Sequence, residues 1–333
     1  MRLAVFMDLD DAIFQTRPKC RADGELADEE LVVGALGPDG RPLSFLTPGQ
    51  DLLWRTLAEA ATIVPVTARS LASFQRVTLP FNHGAVLDFG GLTLEPSGEI
   101  DQDWLARMGP LCRGAAPLLT EALYLLQKAI DGEGLAARPR LVSDAGLIFY
   151  VLVKTAPERL GELEELEGRL AATFGGRAVV RRNGNNLALL PPFLDKGAAV
   201  ERFIERHLPG GRRSHLILGL GDSLTDRGFL ALGDYFMVPV RSQLGLAALA
   251  ASAPAQAADG AKKAGPAQAA DEMRLAGGRL SPDGAQASGG FAESPAPGGT
   301  ADRPPAVGFF DVGAESVGAA DQCQPTGHAV SAD

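Results

Sequence analysis

The sequence predicts an α/β fold, with a doubly wound parallel sheet, an inserted α+β cap and a disordered C-terminal tail. Residues 3–11 and 216–226 each form an apolar run that ends in carboxylates. Such short apolar runs are typical of buried strands, and the carboxyl ends of parallel strands meet at one edge of the sheet. Residues 1–94 alternate strand and helix patterns, as an open parallel sheet does.

The first segment of the core contains a helix with a well-marked beginning. Thr47 is predicted as its N-cap, Pro48 occupies the first helical position, and Gln50 completes a capping box. The β-branched run at residues 62–67 predicts a buried strand directly after this helix. A short helical pattern at residues 70–77 continues the alternation.

Residues 95–186 change pattern and are predicted to form the cap, an α+β module inserted into the core. A long amphipathic helical run opens at Pro117, and residues 141–154 contain two strands around a turn. Thr155 and Glu158 predict a second capping box. The last hairpin of the cap is predicted around the turn residues Asn183, Gly184, Asn185 and Asn186.

The core is therefore predicted to be discontinuous, comprising residues 1–94 and 187–250. A tail follows, residues 251–333, which is rich in Ala, Gly, Pro and Ser and contains no Trp, Tyr or Ile. Such a segment buries too little apolar area to offset the entropy of ordering it, so the tail is predicted to be disordered.

Composition narrows the class of function. With 333 residues and 46% hydrophobic content, the chain can form one or two well-packed domains. A net charge of -10 and a pI near 5.0 disfavour binding to nucleic acid or to an anionic membrane surface. A metal ion can reverse the field inside one cleft, so a small phosphorylated metabolite is compatible with this charge. The sequence does not indicate an oligomeric state.

The cysteines and the N-terminus indicate the compartment. The apolar stretch after Arg2 is too short for a signal peptide, and no run approaches the roughly 20 apolar residues of a membrane helix. No CxxC spacing indicates a zinc site or a disulfide framework among Cys20, Cys112 and Cys323. We therefore expect a protein of the cytoplasm.

Sequence elements suited to phosphoryl transfer follow predicted strands or begin predicted helices. Transfer through an enzyme carboxylate needs a nucleophile, a proton donor for the leaving oxygen, a cation beside the nucleophile, and groups that hold the phosphoryl oxygens. A lone Asp-x-Asp pair is common by chance, whereas four elements in this order form a specific pattern. They are Asp8 with Asp10, Thr67, Lys196, and Asp222 with Asp226.

With these elements the chain resembles the haloacid-dehalogenase-like phosphohydrolases, whose motifs occur in the same order. The resemblance spans residues 1–250 and does not cover the tail. A large insertion between Thr67 and Lys196 is typical of members with a type-2 cap. These members include the sucrose-, trehalose- and mannosyl-phosphoglycerate-phosphatase-like proteins.

The resemblance implies a role for each residue. Asp8 would be the nucleophile and form an aspartyl phosphate, while Asp10 would act as general acid and then as general base. Thr67 would bind a phosphoryl oxygen, and Lys196 would offset the charge of the nucleophile and the phosphate. The cofactor would be Mg²⁺, with ligands from Asp8, the backbone carbonyl of Asp10, Asp222 and, in or near the same shell, Asp226.

Further positions depart from the family pattern or extend it. Ala12 stands where the family usually has Thr or Val, so no hydroxyl orients the loop there. Arg69 is a candidate phosphate ligand, with a surface ion pair as the alternative. Polar side chains of the cap hairpin are candidates for substrate binding, chiefly Asn183 and Asn185, with Arg181, Arg182 and Asn186 beside them; a solvated turn is the alternative.

We therefore expect a Mg²⁺-dependent phosphatase that hydrolyses a small phosphomonoester, such as a sugar or polyol phosphate. Two alternatives stay open: a phosphomutase or phosphotransferase of the same fold, and a catalytically weak phosphate-sensing or scaffold protein. Release of inorganic phosphate without an acceptor distinguishes a phosphatase from the first alternative. Mg²⁺-dependent turnover that is lost in Asp8→Asn excludes the second.

Overall fold

A computed structural model describes residues 1–21 and 26–252 of the chain. Its strands are β1 (Arg2–Met7), β2 (Gln15–Thr16), β3 (Val32–Leu36), β4 (Pro42–Leu46), β5 (Ala61–Pro65), β6 (Ala85–Leu87), β7 (Leu92–Leu94), β8 (Arg138–Asp144), β9 (Leu147–Lys154), β10 (Val179–Asn183), β11 (Asn186–Leu190), β12 (His215–Leu220) and β13 (Tyr235–Met237). Its helices are α1 (Arg17–Arg21), α2 (Pro48–Ala60), α3 (Leu71–Phe74), α4 (Gln102–Glu133), α5 (Leu160–Phe174), α6 (Lys196–His207), α7 (Gly211–Ser214), α8 (Arg227–Leu230) and α9 (Gln243–Ser252). The predicted disordered tail lies outside the described residues, apart from its first two positions.

The core is a parallel sheet with the order β13-β12-β1-β5. Strand β1 runs parallel to β12 and to β5, and Met7 lies opposite both Leu220 and Pro65. A parallel bridge between Val66 and Val86 places β6 on the far side of β5. The inner strands are apolar and buried on both faces, as in sheets covered by helices. The predicted α/β fold is confirmed.

Helix α2 begins as the sequence predicts. The Gln50 N–H donates to the Thr47 side chain at 3.3 Å, and the Thr47 N–H donates to the Gln50 side chain at 2.9 Å. These two bonds satisfy donors that a helix start leaves free, and Pro48 needs no such partner. The predicted capping box is therefore confirmed.

The cap contains a second sheet, antiparallel, with the order β10-β11-β9-β8. Helices α4 and α5 cover one face of it, and their apolar side chains form a separate hydrophobic cluster that includes Leu126, Leu163 and Phe174. Strand β11 pairs with β9, with Leu187 opposite Val153. The cap sheet therefore extends beyond the predicted boundary between residues 186 and 187, because β11 completes it.

Two helix starts in the cap differ from the prediction. Helix α4 begins at Gln102, because the Asp101 side chain caps it by accepting from the N–H groups of Asp103 and Trp104 at 3.0 Å. Pro117 lies inside this helix and does not open it. The predicted capping box at Thr155 does not form, since the buried Thr155 hydroxyl has no hydrogen-bond partner among the described residues.

The sequence did not predict a small antiparallel sheet between β1 and α2. Its order is β2-β4-β3, and it packs above the carboxyl end of β1. The helix predicted at residues 70–77 is a single turn, α3. Within the described residues, no helix is long and apolar enough to cross a membrane.

Candidate active site

The acids predicted to act together lie at the carboxyl edge of the parallel sheet. Asp8 follows β1 directly, and its N–H donates to the Leu220 carbonyl at the end of β12 at 2.8 Å. This register brings the loop after β12, which carries Asp222 and Asp226, next to Asp8. Carboxylate oxygens of the three acids lie within 4.8 Å of one another. Residues more than 200 positions apart thus form one acidic cluster.

Lys196 lies between two of these acids. Its Nζ donates to Asp8 Oδ1 at 2.7 Å and to Asp226 Oδ1 at 2.7 Å, and its side chain is 3% exposed. Burial opposes the charge, but Asp226 and Asp8 together raise the pKa of Lys196 above its ordinary value, so the ammonium stays charged. A lysine at a helix start is disfavoured by the helix dipole, and these two ion pairs offset that disadvantage.

The backbone next to Lys196 is tightly held. The Asp195 side chain caps α6 by accepting from the Gly197 N–H at 2.7 Å. A Cβ at Gly197 would lie 2.9 Å from the carbonyl carbon of Gly228, so α6 and α8 touch through their backbones. Only glycine permits this approach, which fixes the position from which the Lys196 side chain extends.

Asp226 holds the loop that follows β12. Its Oδ2 accepts from the N–H groups of Asp222 at 3.0 Å and Ser223 at 2.9 Å, and from the Ser223 hydroxyl at 3.1 Å. Burial alone would raise the pKa of Asp226, but Lys196 and these hydrogen bonds lower it below its ordinary value. Asp226 is therefore ionised, with both oxygens engaged.

Asp8 and Asp222 have the opposite electrostatic environment. Burial raises the pKa of Asp8, and the neighbouring Asp226 and Asp222 raise it further against the effect of Lys196. Burial, followed by Asp226, raises the pKa of Asp222 to about 7. Two buried carboxylates that repel each other are the hard oxygen donors that a divalent cation such as Mg²⁺ prefers. The donor set fits that ion.

Asp10 and Arg69 form a two-point ion pair at the mouth of the cluster. Arg69 Nε donates to Asp10 Oδ2 and Nη2 donates to Oδ1, each at 2.7 Å. The Arg69 side chain is 9% exposed and also lies over the Phe14 ring, at 5.0 Å from its centroid. The structure therefore places Arg69 against Asp10 and not on a free surface.

Thr67 lies at the end of the neighbouring strand. It is 1% exposed, and its N–H donates to the Val86 carbonyl at 2.8 Å. Its hydroxyl oxygen accepts from the Arg69 N–H at 3.1 Å, an arrangement that stabilises the tight turn of residues 67–71. Thr67 thus shares one loop with Arg69, as the sequence order predicts.

Ala12 lies in the loop after β1, and backbone bonds hold that loop without a hydroxyl. The Ile13 N–H donates to the Leu9 carbonyl at 3.0 Å, and the Asp11 N–H donates to the Phe14 carbonyl at 2.8 Å. Ala12 is 4% exposed and packs with the apolar cluster around Leu9. A small apolar side chain therefore suits this position.

The two asparagines predicted to bind substrate have different environments. The Asn185 amide donates to the Thr155 carbonyl at 2.9 Å, so one of its N–H groups anchors the hairpin just beyond the end of β9. Asn183 is exposed. The neighbouring Gly184 approaches Lys19, whose Nζ would lie 3.9 Å from a Cβ at Gly184. The hairpin turn therefore lies near Lys19, and the substrate-binding role of the two asparagines stays a prediction.

A cavity of about 250 Å³ adjoins Lys196 between cap and core. Its lining combines charged or polar side chains with apolar ones, and it includes Phe89, Arg181, Leu190, Asp195, Thr225 and Gly228. The Arg181 guanidinium contacts no carboxylate among the described residues and donates to the Val180 carbonyl at 3.3 Å. Among the polar hairpin residues predicted to bind substrate, Arg181 is thus the one that lines this cavity.

Sequence reasoning missed Asp88 and Tyr150. Asp88 directly follows the apolar run of β6, the same pattern that identified Asp8, and that signal was available. Tyr150 has no comparable signal, because its hydroxyl reaches the Ala68 carbonyl across 82 positions of the sequence, at 2.7 Å. Contacts of this kind depend on how the cap docks.

No protein-family model and no curated protein matches the chain. Among solved structures, it is similar to sucrose-phosphatase from Synechocystis sp. PCC6803 in complex with sucrose and phosphate, with 18% identity over 76% of this chain and 89% of that chain and a TM-score of 0.41. For the C-terminal domain of trehalose-6-phosphate phosphatase from C. albicans, the identity is 16% over 68% and 72% of the two chains, with a TM-score of 0.44. For a haloacid dehalogenase-like hydrolase from Bacteroides thetaiotaomicron, the identity is 14% over 72% and 94%, with a TM-score of 0.38. These similarities concern the fold alone.

Proposed function

We propose that this chain is a phosphoric monoester hydrolase, and that it transfers the phosphoryl group of a small sugar or polyol phosphate first to Asp8 and then to water. The observation that carries the proposal is the position of Lys196, 2.7 Å from both Asp8 and Asp226, with Asp222 beside them at the carboxyl edge of the sheet. A buried cation against a buried carboxylate orients a nucleophile and offsets charge that develops nearby.

In the first step, Asp8 attacks phosphorus through Oδ2. Lys196 holds the other oxygen, Oδ1, and so fixes the direction of attack. The bond between phosphorus and the alkoxy oxygen breaks, and the departing oxygen takes a proton from the carboxylic acid of Asp10. The products of this step are an alcohol, an aspartyl phosphate and the Asp10 carboxylate.

In the second step, Asp10 removes a proton from a water molecule. The resulting hydroxide attacks phosphorus, the bond to Asp8 breaks, and inorganic phosphate leaves. Asp8 returns as a carboxylate and Asp10 as a carboxylic acid. Thr67 is buried at the end of its strand. During both steps its hydroxyl donates a hydrogen bond to a phosphoryl oxygen.

Asp8 and Asp222 are the side chains that would hold Mg²⁺, together with the backbone carbonyl of Asp10. When bound, Mg²⁺ supplies positive charge that offsets the charge of the carboxylates and the phosphoryl oxygens. Both oxygens of Asp226 are occupied by Lys196 and by the loop of residues 222–223. We therefore assign Asp226 to the support of Lys196 and Asp222, and not to direct contact with the ion.

Arg69 has two partners in this proposal. With no phosphate present it pairs with Asp10 through Nε and Nη2. Two oxygens of a tetrahedral phosphoryl group can accept from a guanidinium as the two carboxylate oxygens do, so a bound phosphomonoester also attracts Arg69. Arg69 then binds the phosphoryl group through one N–H and continues to orient Asp10 through another, while Asp10 takes from solvent the proton that the leaving group needs.

The cavity beside Lys196 supports a hydroxyl-rich leaving group. Arg181, Asp195 and Thr225 supply donors and acceptors, and Phe89 supplies an aromatic face. Sugars and polyols combine hydroxyl groups with apolar C–H surfaces, and such a lining suits both.

We also propose a cytoplasmic location, which agrees with the buried, unpaired thiols of Cys20 and Cys112.

The test is release of inorganic phosphate from a panel of phosphorylated metabolites and from p-nitrophenyl phosphate, with Mg²⁺ and without an acceptor. The wild type is expected to release phosphate and Asp8→Asn to release none. Asp39→Asn, which changes an exposed acid in a surface turn, serves as the matched control and is expected to retain wild-type turnover. Undiminished activity in Asp8→Asn would contradict the proposal, and phosphate release that requires a sugar acceptor would favour a phosphotransferase.

A further inference from the structure

The loop of residues 67–71 carries both Thr67 and Arg69, and its backbone is held from two sides. From the core, the Asp88 N–H donates to the Arg69 carbonyl at 3.0 Å, and the Phe89 N–H donates to the Thr67 carbonyl at 3.2 Å. The core also accepts the Thr67 N–H at the Val86 carbonyl, at 2.8 Å, and two further contacts come from side chains of the cap. The loop is therefore shared between the two parts of the molecule.

The first cap contact is made by Tyr150, on strand β9. Its hydroxyl donates to the Ala68 carbonyl at 2.7 Å, and the residue is 3% exposed. Burial, followed by the nearby Asp88, raises the pKa of Tyr150, so the hydroxyl keeps its proton. The Tyr150 ring also packs edge-on against Phe89, with 5.2 Å between the ring centroids. The donor is thus held in one position.

The second cap contact is made by Asp144, at the end of strand β8. Its Oδ2 accepts from the Leu71 N–H at 2.8 Å, at the start of α3. Asp88 lies beside Asp144 and is fully buried, and its oxygens accept no hydrogen bond from the described residues. Burial, followed by Asp144, raises the pKa of Asp88 to about 9, so Asp88 keeps a proton at neutral pH that it can donate to Asp144.

We propose that Tyr150 and Asp144 are positioning residues, which align Arg69, and through it Asp10, only when the cap is docked on the core. The inference rests on the proposed function, because it assigns Asp10 to proton transfer. Only Arg69 and Ser70 separate the two backbone groups that the cap holds, Ala68 and Leu71. Fixing both ends of so short a segment fixes the point from which the Arg69 side chain extends.

Docking of the cap and alignment of the acid are therefore one event. When the cap moves away, the Ala68 carbonyl and the Leu71 N–H turn to water, and the loop keeps its backbone bonds to the core, which include those to Val86, Asp88 and Phe89. Arg69 then holds Asp10 in a wider range of orientations. Proton transfer is strongly dependent on distance and direction, so the chemical step becomes slow while the cleft is open to bulk water.

The test compares Tyr150→Phe with Tyr124→Phe, a matched control in which an exposed tyrosine of α4 loses its hydroxyl. With p-nitrophenyl phosphate, Tyr150→Phe is expected to lower kcat by about tenfold and to change KM by less than about twofold. Tyr124→Phe is expected to match the wild type. A merely structural role would lower the fraction of folded enzyme or change KM, and would not lower kcat of the folded enzyme alone.

A double-variant cycle tests the route through Arg69. If Tyr150 acts by positioning Arg69, then Tyr150→Phe lowers kcat by less than about twofold in an Arg69→Gln background. Additive losses of kcat would overturn the inference, as would wild-type kcat in Tyr150→Phe. Full activity in Asp8→Asn would instead overturn the proposed function, so the two failures are distinguishable.

Asp144 provides a second comparison that does not depend on Tyr150. Asp144→Asn keeps an acceptor oxygen for the Leu71 N–H, whereas Asp144→Ala removes it. We expect kcat to fall by about tenfold in Asp144→Ala and by less than about threefold in Asp144→Asn. Equal kcat values in the two folded variants would contradict the positioning role of Asp144.

Discussion

The acid cluster of the core and the cap contacts to the loop of residues 67–71 achieve rigidity in different ways. In the core, charged side chains face one another, with Lys196 between Asp8 and Asp226. At the cap, single polar groups hold backbone atoms, as Tyr150 holds the Ala68 carbonyl. This comparison leads us to propose that the core determines which atoms can react, whereas the cap determines when they are aligned.

Lys196→Ala is expected to have the largest effect, because it removes the cation from between two buried carboxylates. We expect phosphate release to fall by about a thousandfold or more. The free energy of unfolding is expected to fall by about 3–5 kcal/mol, since Asp8 and Asp226 are left buried without their partner. Phosphate release and urea denaturation measure the two quantities.

Lys128→Ala, in an exposed position on α4, is the control for this variant and is expected to leave both quantities unchanged. A Lys196→Ala enzyme that retains a tenth of wild-type turnover would show that the core does not depend on this charge.

Phe174→Ala would separate the packing of the cap from the chemistry of the core. Phe174 is fully buried in the cap cluster with Leu163 and Leu166, so we expect the free energy of unfolding to fall by about 3–5 kcal/mol. Phe236→Ala changes a phenylalanine that is 65% exposed on β13, and its expected loss is below about 1 kcal/mol. Urea denaturation of both variants measures the two losses of unfolding free energy.

Asp88→Asn tests the boundary between the two regions through the dependence of stability on pH. Because the pKa of Asp88 in the folded chain is about 9, the folded chain keeps a proton that the unfolded chain releases near pH 4. The stabilising contribution of this carboxyl is therefore complete below about pH 4 and is lost as the pH rises towards about 9. Asparagine does not titrate, so the variant should lose less stability over this range.

Denaturation midpoints of the wild type and Asp88→Asn at about pH 5, 7 and 9 measure this difference directly. Other titrating groups are common to both proteins and cancel in the comparison. Parallel curves would contradict the raised pKa of Asp88.

Ala12→Thr is expected to have the smallest effect. Backbone bonds already hold the loop, so an added hydroxyl should change kcat by less than about twofold. The position is 4% exposed, and the larger side chain is expected to lower the free energy of unfolding by about 1 kcal/mol. A large gain in turnover would show that the chain with Ala12 is catalytically impaired.

The sequence predicted features that depend on neighbouring residues. The Thr47 and Gln50 capping box is local, and the acids after β1 and β12 follow strands whose apolar pattern is visible in the chain. Where each strand ends is a local property, and parallel pairing brings Asp8 and Asp222 together. The acid cluster could therefore be predicted from the order of the motifs.

Features that depend on distant partners were not accessible in the same way. Asn185 is polar and lies in a turn, yet its amide is used by the Thr155 carbonyl. Arg69 turns to Asp10 because folding places the two side chains opposite each other. Each outcome was set by a contact that no local pattern contains.

The backbone contact between Gly197 and Gly228 has a consequence for turnover. A lysine side chain in water samples many rotamers, and a reaction that required one of them would include that entropy in its barrier. Helices α6 and α8 meet through their backbones, which fixes the backbone next to Lys196. Asp8 and Asp226 hold its ammonium, so this group is already confined when the chain folds. The ammonium is thus positioned once, when the chain folds, and does not have to be positioned again in every catalytic cycle.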